Sequence, residues 1–252
     1  MTELAKSDTL MKPKLSVCMA THNGERFIAA QLHSILSQLS DHDEVIIVDD
    51  ASLDNTRDVI RGIRDTRIEL ICNSTNSGVL RGFGDALARA TGEIIFLSDQ
   101  DDVWKPRKVT TVLETFAREP DAVLIASDAA LIDEQDNHIG DSYYAGRGQF
   151  NSGLWNTLLK CKFLGCTMAF RSTLLAQALP FPNAPLVHHD IWLGCINAMQ
   201  GGKVIHIPQP LVEYRRHSTN VTGRVKYSFS RRARMRLQLC VALLNYRLRR
   251  SL

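Results

Sequence analysis

Short apolar runs alternate with stretches of helical periodicity in the first half of the chain. The runs at 15–20, 45–48, 68–72 and 94–97 have the length of strands, and polar turn residues follow each of them. Between these runs, apolar side chains recur at intervals of three and four, as on one face of a helix. This alternation predicts an α/β fold with a mostly parallel, Rossmann-like sheet that helices cover on both faces.

The pattern becomes less regular in the second half. Apolar runs at 123–127, 163–170 and 203–208 predict further strands, and residues 172–178 and the segment opened by Asp190 predict helices. A polar insertion between 128 and 151 is expected to form a surface hairpin or a flap over a site.

Polar clusters follow the strands of the first half. Because ligands of open parallel sheets bind outside the carboxyl ends of the strands, we expect these clusters to meet at one site. Each cluster taken singly is also typical of a turn, so it is their convergence that favours a site. The clusters are Thr21-His22-Asn23, Asp49-Asp50, Asn76-Ser77-Gly78 and Asp99-Gln100-Asp101-Asp102.

The last of these clusters, the acidic turn (residues 99–102), places three carboxylates within four residues. Crowded like charges raise one another's pKa, which is unfavourable unless a cation or hydrogen-bond donors neutralise them. Hard oxygen ligands in an Asp-x-Asp pattern suit Mg²⁺ or Mn²⁺. The competing interpretation is a solvated turn in which Asp102 caps the next helix, with Pro106 in its first turn.

Two later segments carry further candidates. Asp190 opens a predicted helix, a position where a carboxylate is often a simple cap. Residues 213–220 gather basic and polar groups that suit phosphate oxygens.

Composition narrows the class of protein. The chain has 252 residues, 44% of them hydrophobic and 23% charged, which is typical of one large domain with an appendage. No apolar run reaches the roughly 18–20 residues of a membrane span, and residues 1–14 lack an apolar secretion signal, so a cytoplasmic protein is expected. The six cysteines form no Cys-x-x-Cys pair, and we interpret them as reduced core residues.

Charge is distributed unevenly along the chain. Residues 214–252 contain 11 Lys and Arg and no acidic residue, whereas residues 1–213 contain 19 basic and 27 acidic residues, a net charge of −8. Residues 224–252 are predicted to form a basic amphipathic helical tail that suits peripheral contact with an anionic membrane. The alternative is a helix packed on its own domain or in a homodimer. Nucleic acid is not expected, because no aromatic residues are interleaved for base stacking.

Six motifs occur in a characteristic order: Ala20-Thr21-His22-Asn23, Val48-Asp49-Asp50-Ala51-Ser52-Leu53-Asp54, Asn76-Ser77-Gly78, Phe96-Leu97-Ser98-Asp99-Gln100-Asp101-Asp102-Val103-Trp104, His189-Asp190-Ile191-Trp192 and Tyr214-Arg215-Arg216-His217. Their order and separation across residues 14–223 strongly resemble the family 2 glycosyltransferases. The acidic motif is most similar to a bacterial subgroup that includes rhamnosyltransferases of surface-polysaccharide synthesis.

The resemblance implies a GT-A-like fold over 14–223 and an inverting transfer of a sugar, rhamnose among the candidates. The donor would be a nucleoside-diphosphate sugar, dTDP- or UDP-linked, and the acceptor a saccharide or a lipid-linked saccharide. The residues implied for nucleotide-sugar binding are Thr21, His22, Asn23, Asp49, Asp50, Asp99, Arg215 and His217. Asp101, with Asp99, would hold Mg²⁺ or Mn²⁺, and Asp190 would be the general base. Trp155, Trp192 and Tyr143 are candidates for stacking on the sugar.

Two departures from the family pattern are visible. His22 stands where a tyrosine often stacks on the base, and His189 stands where a glutamate usually precedes the catalytic aspartate. The surroundings that tune Asp190 are therefore expected to differ.

Two other classes of protein remain as alternatives. A nucleotidyltransferase also uses a parallel sheet and metal-binding carboxylates, but the first strand lacks the glycine-rich basic signature that would hold a triphosphate. A non-catalytic nucleotide-sugar-binding module would need neither a base nor paired metal ligands. Transfer or donor hydrolysis in the presence of Mn²⁺ would exclude both.

Overall fold

A computed structural model describes residues 12–148, 150–217 and 228–250. In these segments the strands are β1 (Leu15–Thr21), β2 (Glu44–Asp49), β3 (Ile68–Cys72), β4 (Ile94–Ser98), β5 (Val103–Trp104), β6 (Ala122–Ile132), β7 (His138–Gly140), β8 (Met168–Arg171) and β9 (Lys203–Arg215). The helices are α1 (Ile28–Leu36), α2 (Thr56–Ile63), α3 (Val79–Leu87), α4 (Lys108–Arg118), α5 (Leu154–Leu159), α6 (Leu175–Ala178), α7 (His189–Met199) and α8 (Phe229–Arg250).

The nine strands of the described segments join in one sheet, in the order β3-β2-β1-β4-β8-β6-β9-β5, with β7 paired to β6. The strands β3, β2, β1 and β4 are parallel to one another, and β6 is parallel to β9. Only β8, β5 and β7 run antiparallel to their neighbours. The predicted parallel half is therefore confirmed, and an antiparallel β8 joins it to the less regular half.

Apolar side chains cover both faces of the sheet. On one face Val17, Met19 and Phe96 pack with α1 and α4, whose apolar stripes include Leu32 and Val112. On the other face Cys18, Ile46 and Leu97 pack with α3, α6, α7 and α8. Strands that are buried on both sides read as continuous apolar runs, which explains why β1, β2 and β4 could be recognised in the sequence.

Three strands differ from their predicted bounds. β6 continues past Ser127 to Ile132, because the Asp128 carboxylate is satisfied inside the fold by the backbone N–H groups of Ala129 and Tyr143 at 2.7 and 3.0 Å. β9 runs on to Arg215, and irregular pairing with β6 accommodates its two prolines. The predicted strand at 163–170 is a 3₁₀ turn at Gly165–Thr167 followed by the short β8.

The C-terminal helix α8 is attached to the domain by one of its faces. Leu239, Ala242 and Leu243 are buried in the core that α3, α6 and α7 share, and Tyr246 packs against it. The predicted boundary between 223 and 224 lies outside the described residues. None of the helices in the described segments combines the length and the apolar character that a membrane span needs.

The cysteines are all unpaired, as expected, but not all of them belong to the core. Cys72 on β3 and Cys240 on α8 are exposed, whereas Cys18, Cys166 and Cys195 are buried. The interpretation of all six as core residues was therefore wrong for these two, because the sequence does not reveal which face of a strand or helix a small residue occupies.

Candidate active site

A cavity of about 510 Å³ opens at the carboxyl ends of the parallel strands. It brings together the loops after β1, β2 and β4, the start of α3, the start of α7 and the end of β9. Most of the residues expected in the site line it, namely Thr21, His22, Asn23, Asp50, Asp99, Asp101, Asp190 and His217. Gln100, His188, His189 and Tyr214 are among the further lining residues.

Asp50, at the end of β2, organises one corner of the cavity. Its two oxygens accept hydrogen bonds from the backbone N–H groups of Ser77 at 2.9 and 3.0 Å and Gly78 at 2.7 Å, and from the Asn73 amide at 3.1 Å. Gly78 has φ +88°, which a residue with a side chain adopts only under strain. Burial alone would raise the pKa of Asp50, but these hydrogen bonds lower it below its usual value. The carboxylate therefore stays charged and fixes the loop before α3.

Gln100 joins the loop after β1 to the acidic turn. Its Oε1 accepts from Thr21 Oγ1 at 2.5 Å and from the His22 backbone N–H at 2.9 Å. His22 Nδ1 in turn donates to the Asp50 carbonyl oxygen at 2.8 Å, and its Nε2 accepts from the Asn23 amide at 3.1 Å. Gln100 was not predicted as a site residue, although its position within the acidic motif was a signal that could have identified it.

Two of the expected binding residues support the cavity from behind and do not line it. Asp49 is fully buried and accepts from Arg57 Nε at 2.5 Å and from the Ser52 backbone N–H at 3.1 Å, which closes the turn after β2. Arg215 is also buried; its Nε donates to the Asp101 carbonyl oxygen at 2.7 Å, and its backbone N–H donates to Asp102 Oδ1 at 3.0 Å. The structure thus assigns both residues to bracing the site.

The acidic turn is held open by an unexpected strand. Val103 and Trp104 form β5, which pairs with Val212 and Glu213 of β9 and so anchors the turn on the far edge of the sheet. Helix α4 begins only at Lys108, and the residue before it, Arg107, makes no side-chain cap. Asp102 is buried and bonded to Arg215, so its interpretation as a helix cap was wrong.

The carboxylates of the turn fit a divalent cation. Asp102 Oδ2 is buried and has no hydrogen-bond partner among the described residues. Burial, followed by repulsion from Asp102 and Asp101, raises the pKa of Asp99 well above its usual value, and burial with Asp101 nearby raises the pKa of Asp102 to about 7. Carboxylates crowded in this way lack positive charge, which Mg²⁺ or Mn²⁺ would supply.

Neighbouring groups limit how such a cation would be held. One ligand atom each from Asp99, Asp102 and Cys166 lie within 4.8 Å of one another, but burial raises the pKa of the Cys166 thiol well above its usual value. A protonated thiol is a poor ligand for a hard cation, which leaves the carboxylates. On the cavity side, Asp101 Oδ2 lies 2.6 Å from His217 Nε2, so the segment just after β9 reaches the turn.

Asp190 lies on the cavity wall in the first turn of α7. The residue before the helix is His188, so Asp190 is not the cap, and its Oδ1 accepts from the next backbone N–H, that of Ile191, at 2.7 Å. His189 is buried and stacks on Phe83 with ring centroids 3.9 Å apart. Burial lowers the pKa of His189 to about 4, so a neutral ring stands beside Asp190.

The aromatic residues proposed for sugar stacking lie elsewhere. Trp192 is buried and its indole N–H donates to the Ala178 carbonyl oxygen at 2.9 Å, and Trp155 is exposed on α5. Tyr143 packs against Tyr144 and Tyr214. None of the three proposed residues is among the lining residues of the cavity, whereas Tyr214, which Tyr143 contacts, is one of them.

The known sequences that this chain resembles are glycosyltransferases. The model of glycosyl transferase family 2 matches residues 16–176. An uncharacterized glycosyltransferase of Nostoc sp. is 31% identical over 217 residues, which cover 82% of this chain and 66% of that protein. The Escherichia coli enzyme WfgD, a UDP-Glc:alpha-D-GlcNAc-diphosphoundecaprenol beta-1,3-glucosyltransferase, is 26% identical over 72% of this chain and 69% of its own. This chain thus spans about two thirds of the length of these relatives.

Solved structures support the fold. TarS (residues 1–349) of S. aureus in complex with UDP-GlcNAc superimposes with a TM-score of 0.69 at 20% identity, covering 92% of this chain and 67% of TarS. The mannosyltransferase PcManGT from Pyrobaculum calidifontis, in complex with GDP-Man and Mn²⁺, has a TM-score of 0.63 at 22% identity, covering 92% of this chain and 64% of its own. The expected GT-A-like α/β architecture is therefore confirmed.

Proposed function

Because this chain belongs to glycosyl transferase family 2, we propose that it transfers a sugar, with inversion, from a nucleoside-diphosphate sugar to a saccharide or lipid-linked acceptor in cell-surface polysaccharide synthesis. One observation carries the proposal: a single cavity is lined by the Asp50 corner, the carboxylates of the acidic turn and Asp190. A binding module would need only the first of these. The catalytic unit is taken as residues 14–223.

The donor is proposed to lie with its nucleoside against Thr21, His22, Asn23 and Asp50. Asp50 already accepts from the Ser77 and Gly78 backbone, the Asn73 amide and the Ser77 hydroxyl, so a base N–H, as the uracil or thymine of a UDP- or dTDP-sugar offers, would take the place of one of the two side-chain donors. Gln100 fixes Thr21 and the His22 backbone, which sets the width of this corner. Rhamnose and glucose are both candidates for the sugar.

The diphosphate is proposed to lie at the acidic turn. Asp101 and Asp99 would hold Mg²⁺ or Mn²⁺, which when bound would neutralise the charge that develops on the departing diphosphate. His217, whose Nε2 lies 2.6 Å from Asp101 Oδ2, would orient that carboxylate beside the diphosphate. Arg215 is buried behind the turn, so we propose that it positions Asp101 and Asp102 and does not itself bind the leaving group.

Asp190 is proposed to be the general base. Its carboxylate lines the same cavity as the acidic turn, and one oxygen is oriented by the Ile191 N–H. The acceptor hydroxyl would lose its proton to Asp190 as it attacks the anomeric carbon from the side opposite the diphosphate, which breaks the sugar–oxygen bond in one displacement and inverts the carbon.

The acceptor is proposed to be lipid-linked and presented at the cytoplasmic face of the membrane. WfgD acts on a GlcNAc-diphosphoundecaprenol acceptor, and the basic tail at 224–252 supports contact with an anionic surface. A homodimer formed through the tail is the competing arrangement.

The test separates binding from chemistry. Purified full-length protein is screened by thermal shift against UDP- and dTDP-sugars with and without Mn²⁺, and transfer from the stabilising donor is then measured for wild type and Asp190→Asn. Asparagine keeps the hydrogen bond from Ile191 but cannot take a proton, so we expect unchanged donor binding and turnover lower by about 10²–10⁴-fold.

The control is Asp141→Asn, which makes the same change at an exposed carboxylate. Near-normal turnover of Asp190→Asn would show that the base lies elsewhere. Release of pyrophosphate and formation of a nucleotide sugar from a supplied nucleoside triphosphate and sugar 1-phosphate would favour the nucleotidyltransferase instead. Binding without any turnover of the wild type would favour the binding module.

A further inference from the structure

Exposed large apolar side chains concentrate on two neighbouring helices. Of the ten such side chains in the described segments, seven lie on α5 and α8. They are Trp155 and Leu159 on α5, and Phe229, Leu237, Val241, Leu244 and Leu248 on α8. Exposed apolar side chains that cluster on neighbouring helices are typical of an interaction site, in contrast to the three exposed singly elsewhere in the described segments, Leu53, Val79 and Ile139.

The exposed residues of α8 form a stripe that is separate from the face that packs on the domain. Leu237, Val241, Leu244 and Leu248 recur at intervals of four, three and four, so at about 100° per residue they project into one narrow sector. The buried Leu239, Ala242 and Leu243 lie on the opposite side of the helix. The tail thus has two apolar faces, and packing on the domain uses only one of them.

Helix α5 lies next to α8 and extends the surface. Arg236 Nη2 of α8 donates to the Leu159 carbonyl oxygen of α5 at 2.9 Å. Trp155 and Leu159 are four residues apart, so they share one face of α5, where Trp155 is 74% exposed. Tryptophan with a polar indole N–H and an apolar body is characteristic of membrane–water interfaces.

The positive charge of α8 favours a partner with a negatively charged surface. Helix α8 carries seven arginines, at 231, 232, 234, 236, 247, 249 and 250, and no acidic residue. We propose that the outward faces of α5 and α8, the α5–α8 face, dock on the surface of a bilayer that contains anionic lipid. The stripe and Trp155 would lie in the interface, and flanking arginines such as Arg234 and Arg249 would lie at the phosphate groups, whereas Arg236 and Arg250 are bonded to α5 and α6. This deepens the proposed function, since such a surface would present a lipid-linked acceptor.

The α5–α8 face lies beside the candidate active site. Arg231 and Met235, in the first turns of α8, line a second cavity of about 230 Å³. That cavity shares Gly78, Val79, His188 and His189 with the main cavity. At about 100° per residue, Arg231 and Met235 project to the domain side of α8, so a bilayer docked on the outward stripe would lie across the helix from this cavity, about one helix diameter away.

The experiment is vesicle flotation of the full-length protein, with Trp155 as an internal reporter. The other two tryptophans, Trp104 and Trp192, are only 2% exposed, so a change in tryptophan emission on adding vesicles reports Trp155. We expect flotation and a blue shift with vesicles of phosphatidylcholine and phosphatidylglycerol, weaker flotation with phosphatidylcholine alone, and release by added salt.

Paired variants test the two parts of the surface. Leu237→Gln with Leu244→Gln should weaken partitioning by at least about tenfold, whereas Leu53→Gln, at an exposed leucine far from α8 in sequence, should not change it. Arg234→Gln with Arg249→Gln should weaken it by about fivefold for each charge removed, whereas Arg61→Gln with Arg64→Gln, on and just after α2, should have a smaller effect.

The outcomes are distinguishable from failure of the proposed function. Donor binding by the same variants is measured in parallel, because a loss there concerns the cavity and not the α5–α8 face. Wild-type protein that stays with the soluble fraction overturns the proposal, as does flotation that the stripe variants leave unchanged. Light scattering that shows a dimer abolished by Leu237→Gln with Leu244→Gln, without any vesicle binding, would assign the stripe to a second copy of the chain.

Discussion

His189 is expected to lower the free energy of unfolding of the protein at acid pH, and replacing this one residue can test its contribution. The ring is buried against Phe83, and neither of its nitrogens has a hydrogen-bond partner among the described residues. Burial lowers its pKa from 6.5 to about 4. A histidine with a depressed folded-state pKa destabilises the fold as the pH falls below 6.5, because only the unfolded chain then takes up the proton freely.

The magnitude follows from the two pKa values. One unit of pKa shift corresponds to about 1.4 kcal/mol, and the full shift of roughly two and a half units would cost about 3 kcal/mol well below pH 4. At pH 5 the unfolded state is almost fully protonated and the folded state is not, so about 2 kcal/mol of that cost is already present. At pH 7 it is close to zero. His189 alone should thus lower the free energy of unfolding by about 2 kcal/mol between pH 7 and pH 5.

The assay compares urea unfolding of wild type and His189→Leu at pH 7, 6 and 5. Leucine has a similar volume and removes two unsatisfied nitrogens, so we expect the variant to be as stable as wild type or more stable at pH 7 and to lose about 2 kcal/mol less on acidification. His33→Gln, at an exposed position of α1, is the control and should leave the slope unchanged. Parallel stability curves for wild type and His189→Leu would refute the argument, since they would mean that the ring is solvated or hydrogen-bonded at acid pH.

Three further changes test other parts of the structure. Asp101→Asn should abolish Mn²⁺-dependent donor binding while the amide oxygen keeps the contact with His217, and calorimetric titration that shows unchanged affinity would contradict this. Asp50→Asn should lower the free energy of unfolding by about 1–3 kcal/mol and weaken nucleotide binding, because its NH₂ group would face a backbone N–H of Ser77 or Gly78. A variant with the melting temperature and nucleotide affinity of the wild type would show that the carboxylate does not hold the loop. Leu239→Ala should lower the free energy of unfolding in urea by about 2–5 kcal/mol, whereas Leu237→Ala, at an exposed position, should lower it by less than about 0.5 kcal/mol. Equal effects of the two changes would mean that α8 does not pack as described.

The parts of the fold that could be predicted are those whose signal is local. β1, β2 and β4 are apolar runs that end in polar residues, and the carboxyl ends of parallel strands must meet, so most of the cavity could be placed from the sequence. What was missed depends on distant partners. β5 exists because Val103 and Trp104 meet β9 more than a hundred residues later, and β6 continues through Asp128 because Ser142 and the Tyr143 N–H satisfy its carboxylate.

The same reason explains why site residues that are close in sequence point in different directions. Asp49 and Asp50 are adjacent, but successive side chains of a strand point to opposite sides. Asp49 therefore points into the turn that Ser52 and Arg57 close, and Asp50 points towards the cavity. Arg215 and His217 are two residues apart, yet Arg215 braces the acidic turn from behind and His217 meets Asp101 at the cavity. A motif therefore identifies the location of a site, while the direction of each side chain is set by tertiary packing.

The buried positive charges explain how the acidic turn survives folding and still has room for a cation. Lys108 is fully buried; its Nζ donates to the Cys166 carbonyl oxygen at 2.7 Å and lies 4.1 Å from the centre of the Trp104 ring, with Asp99 and Asp102 near enough to raise its pKa. Burial nevertheless lowers the pKa of Lys108 to about 8, because the attraction of the nearby carboxylates does not fully offset the loss of water around its charge. With Arg215, which is also paired with Asp136 at 2.6 Å, it places two cationic groups beside the three carboxylates of the turn. These groups offset part of the repulsion, and the pKa values of Asp99 and Asp102 stay raised. A divalent cation on the cavity side would relieve the repulsion that is left.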